Sequence, residues 1–301
     1  MDGEDAHCIK RQLSAMLWDD AVFRMVNECR RLAPKGADGE PALNPTIHGR
    51  INLWYFATQA LAIRRLTEPN WKQEKQYVVS LRRLLDDIKA HVALLTRGNF
   101  FEAEGLPYNY ETVRDEYYRQ QTAAVTGRQQ PTRRRLSPDD WLWAERLHEH
   151  FDCLSRADSA HRSKTDQVDP EVFDVLRLQL APCERLKPLV DKLVAHAADP
   201  GNRDRIPEQD RQISLAKIWE CHAALCKVTS FVSVVMLRRT DFPGLATPLF
   251  DQFQHMDQPW VDTGNLEALD ESWRLHEREV RSWASVDWPP VWPSARGDEA
   301  V

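Results

Sequence analysis

The chain has 301 residues, 42% hydrophobic and 29% charged, which is enough to bury a core in one large domain or two small ones. Its formal net charge of −6 argues against nucleic-acid binding driven by overall positive charge. Only 11 residues are glycine, and Leu, Ala, Arg and Glu are abundant, so the composition favours helix over strand.

The N-terminal residues are acidic and lack the basic and apolar regions of a signal peptide. No apolar run approaches the roughly 20 residues that a membrane span needs. We therefore expect a cytoplasmic protein without a membrane partner. The six cysteines form no Cys-x-x-Cys pair and are typical of reduced thiols. Cys221, His222 and Cys226 would diverge on a helix, which argues against a zinc site there.

Helical spacing of apolar residues begins near the N-terminus. The pattern from Leu13 to Val26 predicts an amphipathic helix with Asp20 on its solvent side. A second helix is predicted over residues 50–66, with Trp54 and Leu61 among its apolar positions. A third is predicted over residues 71–95, and the two resemble an antiparallel pair of a bundle.

The helical pattern then breaks. The break covers residues 99–118, and residues 105–110 within it predict an ordered loop with aromatic side chains. Residues 126–135 are polar and strongly basic, which indicates a flexible exposed loop. This loop is the one candidate boundary within the chain, and we favour a single domain.

Four more segments complete the pattern. A helix begins near residue 137, and residues 154–169 form a polar connection. Helical periodicity follows over residues 170–194, with a break at Pro182, and over 207–237. A last amphipathic helix spans 266–283.

Together these patterns predict an all-α fold, a bundle of about six or seven helices with long ordered loops. We expect one domain over residues 1–301, with its core at about 50–240 and a C-terminal helix and Pro/Trp-rich tail beyond 241.

Motifs that bind nucleotides or metals are absent from the sequence. His148, His150 and Asp152 suggest a metal cluster, but residues two apart point to opposite sides of a helix. A solvated face is favoured, so we expect no metal and no cofactor.

Two positions offer a histidine beside a cation. Arg156 and His161 have the spacing of an Arg–His pair, in which His moves a proton and Arg neutralises a phosphate. The surrounding residues favour a polar loop. Lys192 and His196 share one helix face at i and i+4, although a histidine that simply closes a helix is the favoured interpretation there.

Several segments resemble the abortive-infection branch of the HEPN superfamily. The matching segments lie at 56–65, 80–89, 95–100, 105–108 and 191–199. The resemblance as a whole covers about residues 50–240. The resemblance implies a helical bundle that is usually a homodimer. Active members are metal-independent endoribonucleases that serve as toxins or in phage defence. Their signature is an Arg, then four to six residues, then a His.

Carried onto this chain, the family histidine falls on His196. The family arginine should lie at 189–191, where the sequence has Leu189, Val190 and Asp191. The chain departs from the signature at this point, which puts catalysis in doubt.

Two hypotheses follow. In the first, the chain cleaves RNA in a dimer cleft, with His196 transferring the proton and Lys192 contacting the phosphate. RNA contacts would come from Arg64, Arg65, Arg133, Arg134 and Arg135, and an antitoxin or defence-system protein would be a partner. In the second, the chain is a non-catalytic oligomerisation or protein-interaction module in which His196 is structural.

Overall fold

The computed structural model describes residues 8–37, 39, 43–69, 78–126, 136–194, 212–239, 251–259 and 263–284. Across these ranges the chain is helical and contains no β-strand, which confirms the all-α prediction. It divides into two compact units, Met1–Leu245 and Ala246–Val301.

The described part of the first unit contains nine α-helices and two π-turns. The helices are α1 (Ile9–Leu32), α2 (Pro45–Leu66), α3 (Leu81–Ala90), α4 (Arg97–Glu104), α5 (Tyr110–Val125), α6 (Asp139–Ser155), α7 (Glu171–Gln179), α8 (Ala181–Leu189) and α9 (Leu215–Ser230). The first π-turn (Val190–Val194) extends α8, and the second (Phe231–Met236) extends α9. The second unit contains α10 (Leu266–Ala284).

Side-chain caps start several of these helices. The Asn44 side chain accepts a hydrogen bond from the Ile47 amide at the start of α2, where Pro45 fits the first turn. Ser80, Thr96 and Ser214 cap α3, α4 and α9 in the same way. Each cap satisfies an amide that the helix leaves without a partner, which fixes the start of the helix.

The main core joins α1, α2, α3, α6, α7, α8 and α9. Its fully buried side chains include Leu13, Ile63, Phe151, Phe173 and Ile218. A second cluster joins α4, α5 and α6 through Phe101, Tyr110, Trp141, Ala144 and Leu147. The main core therefore includes α1, which lies outside the core expected at about 50–240, and a separate cluster lies on α4, α5 and α6.

Two expectations from the sequence were wrong. The helical pattern was expected to break over 99–118, whereas α4 and α5 make most of that stretch helical. The ordered loop predicted at 105–110 agrees with the observed connection, Gly105 to Asn109. Gly105 ends α4 with φ of 64°, a left-handed conformation that glycine adopts without strain. Asp20, expected on the solvent side of α1, is 7% exposed, because buried hydrogen-bond donors surround it.

The two π-turns alter the ends of long helices. Pro188 lies in the last turn of α8 and has no amide hydrogen to donate, and the helix widens directly after it. The run Leu215–Met236 is long and apolar enough to cross a membrane by composition. Half of that window is buried within the protein, and core helices pass the same test, so the finding is weak evidence for a span.

Candidate functional site

The end of α2 meets the first π-turn, and this contact places the predicted site residue Arg64 against Asp191, the sequence neighbour of Lys192. Arg64 Nε donates to Asp191 Oδ1 at 2.6 Å, and Arg64 also pairs with Glu68, which is 5% exposed. Lys187 Nζ lies 3.9 Å from Glu68 Oε1. The positive charge of Arg64 is therefore already balanced by two carboxylates.

Lys192 lies in the first π-turn and is half-buried. It forms no ion pair with any residue in the described ranges. His196, the residue to which the sequence assigned proton transfer, lies outside the described residues. The predicted Lys192–His196 face assumed a regular α-helix, whereas the chain around Lys192 follows the wider π geometry.

Of the remaining predicted RNA contacts, only Arg65 lies within the described residues. Arg65 is exposed at the end of α2 and has no ion-pair partner among the described residues. Arg133, Arg134 and Arg135 lie outside the described residues.

The second Arg–His candidate is not assembled as a pair. Arg156 ends α6 with φ of 53° and binds Asp169 at 3.0 Å and Glu171 at 2.9 Å. The His161 ring is 82% exposed, and its Nδ1 lies 3.3 Å from Asp158 Oδ2. Because the two side chains have different carboxylate partners, they do not form a phosphate-binding and proton-transfer pair.

Sequence reasoning missed a buried ionic network centred on Arg97. The Arg97 side chain is completely buried and donates to Asp166 at 2.9 Å, Asp152 at 2.8 Å and the His148 carbonyl at 3.0 Å. Arg162 adds a second guanidinium, 2.6 Å from Asp152. The three partners of Arg97 lie 51 to 69 residues away along the chain, which follows no helical or strand period, so no sequence signal identifies them.

The electrostatics of this network show a filled structural site. The His148 ring lies between the Tyr108 carbonyl, 2.8 Å from Nε2, and Arg97, 3.3 Å from Nδ1. Burial lowers the pKa of His148, which favours the neutral ring. Burial raises the pKa of Asp152, but hydrogen bonds from Arg162 and Arg97 outweigh this and lower it overall. Both ring nitrogens and both guanidinium groups are engaged within the network.

A second buried network links α1, α2 and α9 around Asp20. Its carboxylate accepts hydrogen bonds from Tyr55 at 2.5 Å, Arg24 at 2.7 Å and Trp219 at 3.1 Å. His222 binds the Gln59 side chain through Nε2 at 2.8 Å. This arrangement holds three helices together and occupies the histidine considered in the sequence for a zinc site.

A mostly apolar cavity of about 410 Å³ lies between α6, α7 and the second π-turn. Among the predicted site residues, Arg156 contributes to its lining, together with His150 and Cys153. His150 Nε2 is buried without a hydrogen-bond partner, and burial lowers the pKa of this ring. The cavity is separate from the cluster at Arg64.

No group of three or more His, Cys, Asp or Glu side chains in the described ranges is arranged to hold a metal ion. No protein-family model, curated protein or solved structure matches the chain. The description of function therefore rests on the chain's own residues.

Proposed function

We propose that this protein is a non-catalytic helical oligomerisation module that binds a second copy of itself through α10. Five apolar residues and one histidine of α10 follow a 3–4 spacing, which is the a and d pattern of a coiled coil. The positions are Leu266, Leu269, Trp273, His276, Val280 and Trp283. We call this set the α10 seam.

The seam is open to solvent. Trp273 is 72% exposed, Trp283 67% and Leu266 56%. A tryptophan can bury roughly 150–250 Å² in an interface, and each Å² contributes about 25 cal/mol. Exposed apolar stripes of this kind mark interaction sites, so a second helix is the expected cover.

The faces of α10 outside the seam carry charged side chains that form ion pairs along the helix. Arg274 pairs with Asp270 at 2.7 Å and Arg281 with Glu277 at 2.6 Å, both one turn apart. The helix contains five carboxylates and three arginines, a net charge of −2. Helices that lie on membranes are rich in Lys and Arg, so this charge favours a protein partner over an anionic lipid surface.

The flanking charges favour a parallel pair. Asp270 and Glu277 hold the e positions, and an antiparallel pair would place Asp270 beside Glu277 of the second copy. Like charges at such positions destabilise the pair. A parallel pair instead places Ser272 beside Glu277 and Glu279 beside Ala284, without a like-charge contact.

The test is the mass of the full chain by sedimentation equilibrium. We expect a wild-type dimer and a monomeric Trp273→Glu/Trp283→Glu variant with unchanged helical content by circular dichroism. Leu275→Glu is the matched control, because Leu275 is 58% exposed on the same helix but outside the seam. It should remain dimeric. A monomeric wild type at about 50 µM, well above the Kd of a specific dimer, or a dissociated control would reject the proposal.

A substitution of His276 tests the proposal by strengthening the dimer instead of weakening it. A leucine packs better than a histidine at a d position, so His276→Leu should tighten the dimer at least about tenfold, or about 1.4 kcal/mol. A weaker dimer in this variant would show that His276 lies outside the interface.

A second candidate function is metal-independent RNA cleavage by a HEPN-like toxin or phage-defence protein. The observation that favours it is the meeting of Arg64 and Lys187 beside the turn that contains Lys192. These cations come from separate elements and lie beside the π-turn that precedes His196 in the sequence.

This candidate predicts cleavage of RNA in the presence of EDTA, with loss of cleavage in His196→Ala and an unchanged melting temperature. His161→Ala is the matched control and should cut as well as wild type. Intact RNA after long incubation with wild-type protein rejects this candidate and leaves the oligomerisation proposal unaffected.

A further inference from the structure

The outward face of α2 is apolar although α2 already buries its opposite face in the core. Trp54 is 62% exposed, Leu53 56%, Ile47 43% and Leu61 39%. Ile47, Trp54 and Leu61 are seven residues apart, so they lie in one row along the helix. Monomeric proteins rarely expose a contiguous apolar row of this kind, which marks the face as an interaction surface.

The charge on this face has one sign. Arg50 and Arg65 lie on the same side as Trp54, toward opposite ends of the row, about 22 Å apart along the axis. Neither side chain forms an ion pair or hydrogen bond within the described part of the chain, whereas the Arg64 side chain is paired with Asp191 and Glu68. The sequence of α2 contains no carboxylate, in a chain whose net charge is −6.

We propose that this face of α2 binds an acidic amphipathic helix of another protein. Trp54 would occupy the centre of the interface, since a buried tryptophan is a frequent anchor of such contacts. The arginines would bind carboxylates on the flanks of the partner helix, where charge complementarity sets its register and increases the association rate.

Two other occupants fit the face less well. A second copy of α2 would bring four arginines together at the rim with no carboxylate to balance them. Nucleic acid binding draws its affinity from many cations along the phosphate backbone, and this face offers two around an apolar centre. The apolar centre and the two end charges match an acidic helix.

The test uses a fluorescein-labelled 21-residue peptide, three repeats of Leu-Glu-Ala-Leu-Glu-Glu-Ala, and a matched peptide with Lys in place of every Glu. The protein is the full chain carrying Trp273→Glu and Trp283→Glu, so that the α10 seam does not contribute. Fluorescence anisotropy should give a Kd below about 100 µM for the acidic peptide, in the range of a weak specific contact, and no measurable binding of the basic one.

Three variants test the assignment to α2. Trp54→Glu should weaken binding at least about tenfold. Arg50→Glu/Arg65→Glu should lose the acidic peptide and gain the basic one, a reversal that misfolding cannot produce. Leu178→Glu, at a 74% exposed site on α7, should bind like the parent.

Several outcomes would overturn the proposal. They are no binding of the acidic peptide, equal binding of both peptides, equal loss in Leu178→Glu, or preferential binding of a single-stranded RNA 20-mer. A change in the mass of the parent protein on Trp54→Glu would identify a second copy as the occupant and would also reject it.

Discussion

Arg97 and Arg65 are the same residue type in opposite environments. Arg97 is fully buried. Its guanidinium group contacts two carboxylates, a backbone carbonyl and an imidazole. Arg65 is exposed and has no partner in the described ranges. The comparison separates arginines that hold the bundle together from arginines available to bind another molecule.

The largest expected effect is the loss of Arg97. Arg97→Met removes one partner of a buried network and leaves Asp152 and Asp166 poorly compensated, which should cost about 3–5 kcal/mol of unfolding free energy. Urea denaturation measures this value. Arg65→Met should change the same quantity by less than about 0.5 kcal/mol. Similar losses of unfolding free energy in Arg97→Met and Arg65→Met would contradict the distinction between a structural and an available arginine.

A smaller effect is expected from pH. The folded pKa of His148 is lowered, so the unfolded chain binds more protons than the native state as pH falls through about 6.5. Stability should therefore decrease between pH 7 and pH 5. The folded pKa of Asp152 is also lowered, so its contribution is present above about pH 4 and is lost below it.

Replacing the imidazole isolates its share of this pH dependence. His148→Gln should flatten the decrease in unfolding free energy between pH 7 and pH 5, measured by urea denaturation at each pH. His161→Gln is the matched control, because the His161 ring is 82% exposed, and its pH profile should follow wild type. An unchanged profile in His148→Gln would assign the pH dependence to other groups.

In α2 and α10, the spacing of apolar residues predicts that a helix forms but does not predict which of its faces is buried. The spacing of apolar residues placed α10 at 266–283, close to its observed bounds. In α2 the same kind of pattern counted Trp54 and Leu61 with the buried positions, whereas the structure exposes both. The helix is apolar on two sides, so periodicity alone cannot tell which side meets the core.

The candidate site was less predictable than the fold. Lys192 and His196 were selected because residues four apart share an α-helical face, whereas the chain at Lys192 follows π geometry after Pro188 and His196 lies outside the described residues. The two carboxylates that occupy Arg64 include Asp191, which is 127 residues away along the chain. No local rule reports such a contact.

The sequence by itself determined the helical class, because apolar spacing and helix-forming composition act within one or two turns of the chain. It also placed the last amphipathic helix at 266–283, because that apolar spacing lies within one element. Tertiary structure decided which arginines are buried, which face of α2 remains outside, and that Asp20 joins three helices. Each of these depends on side chains that meet only when distant helices pack, so their partners could not be read from neighbouring residues.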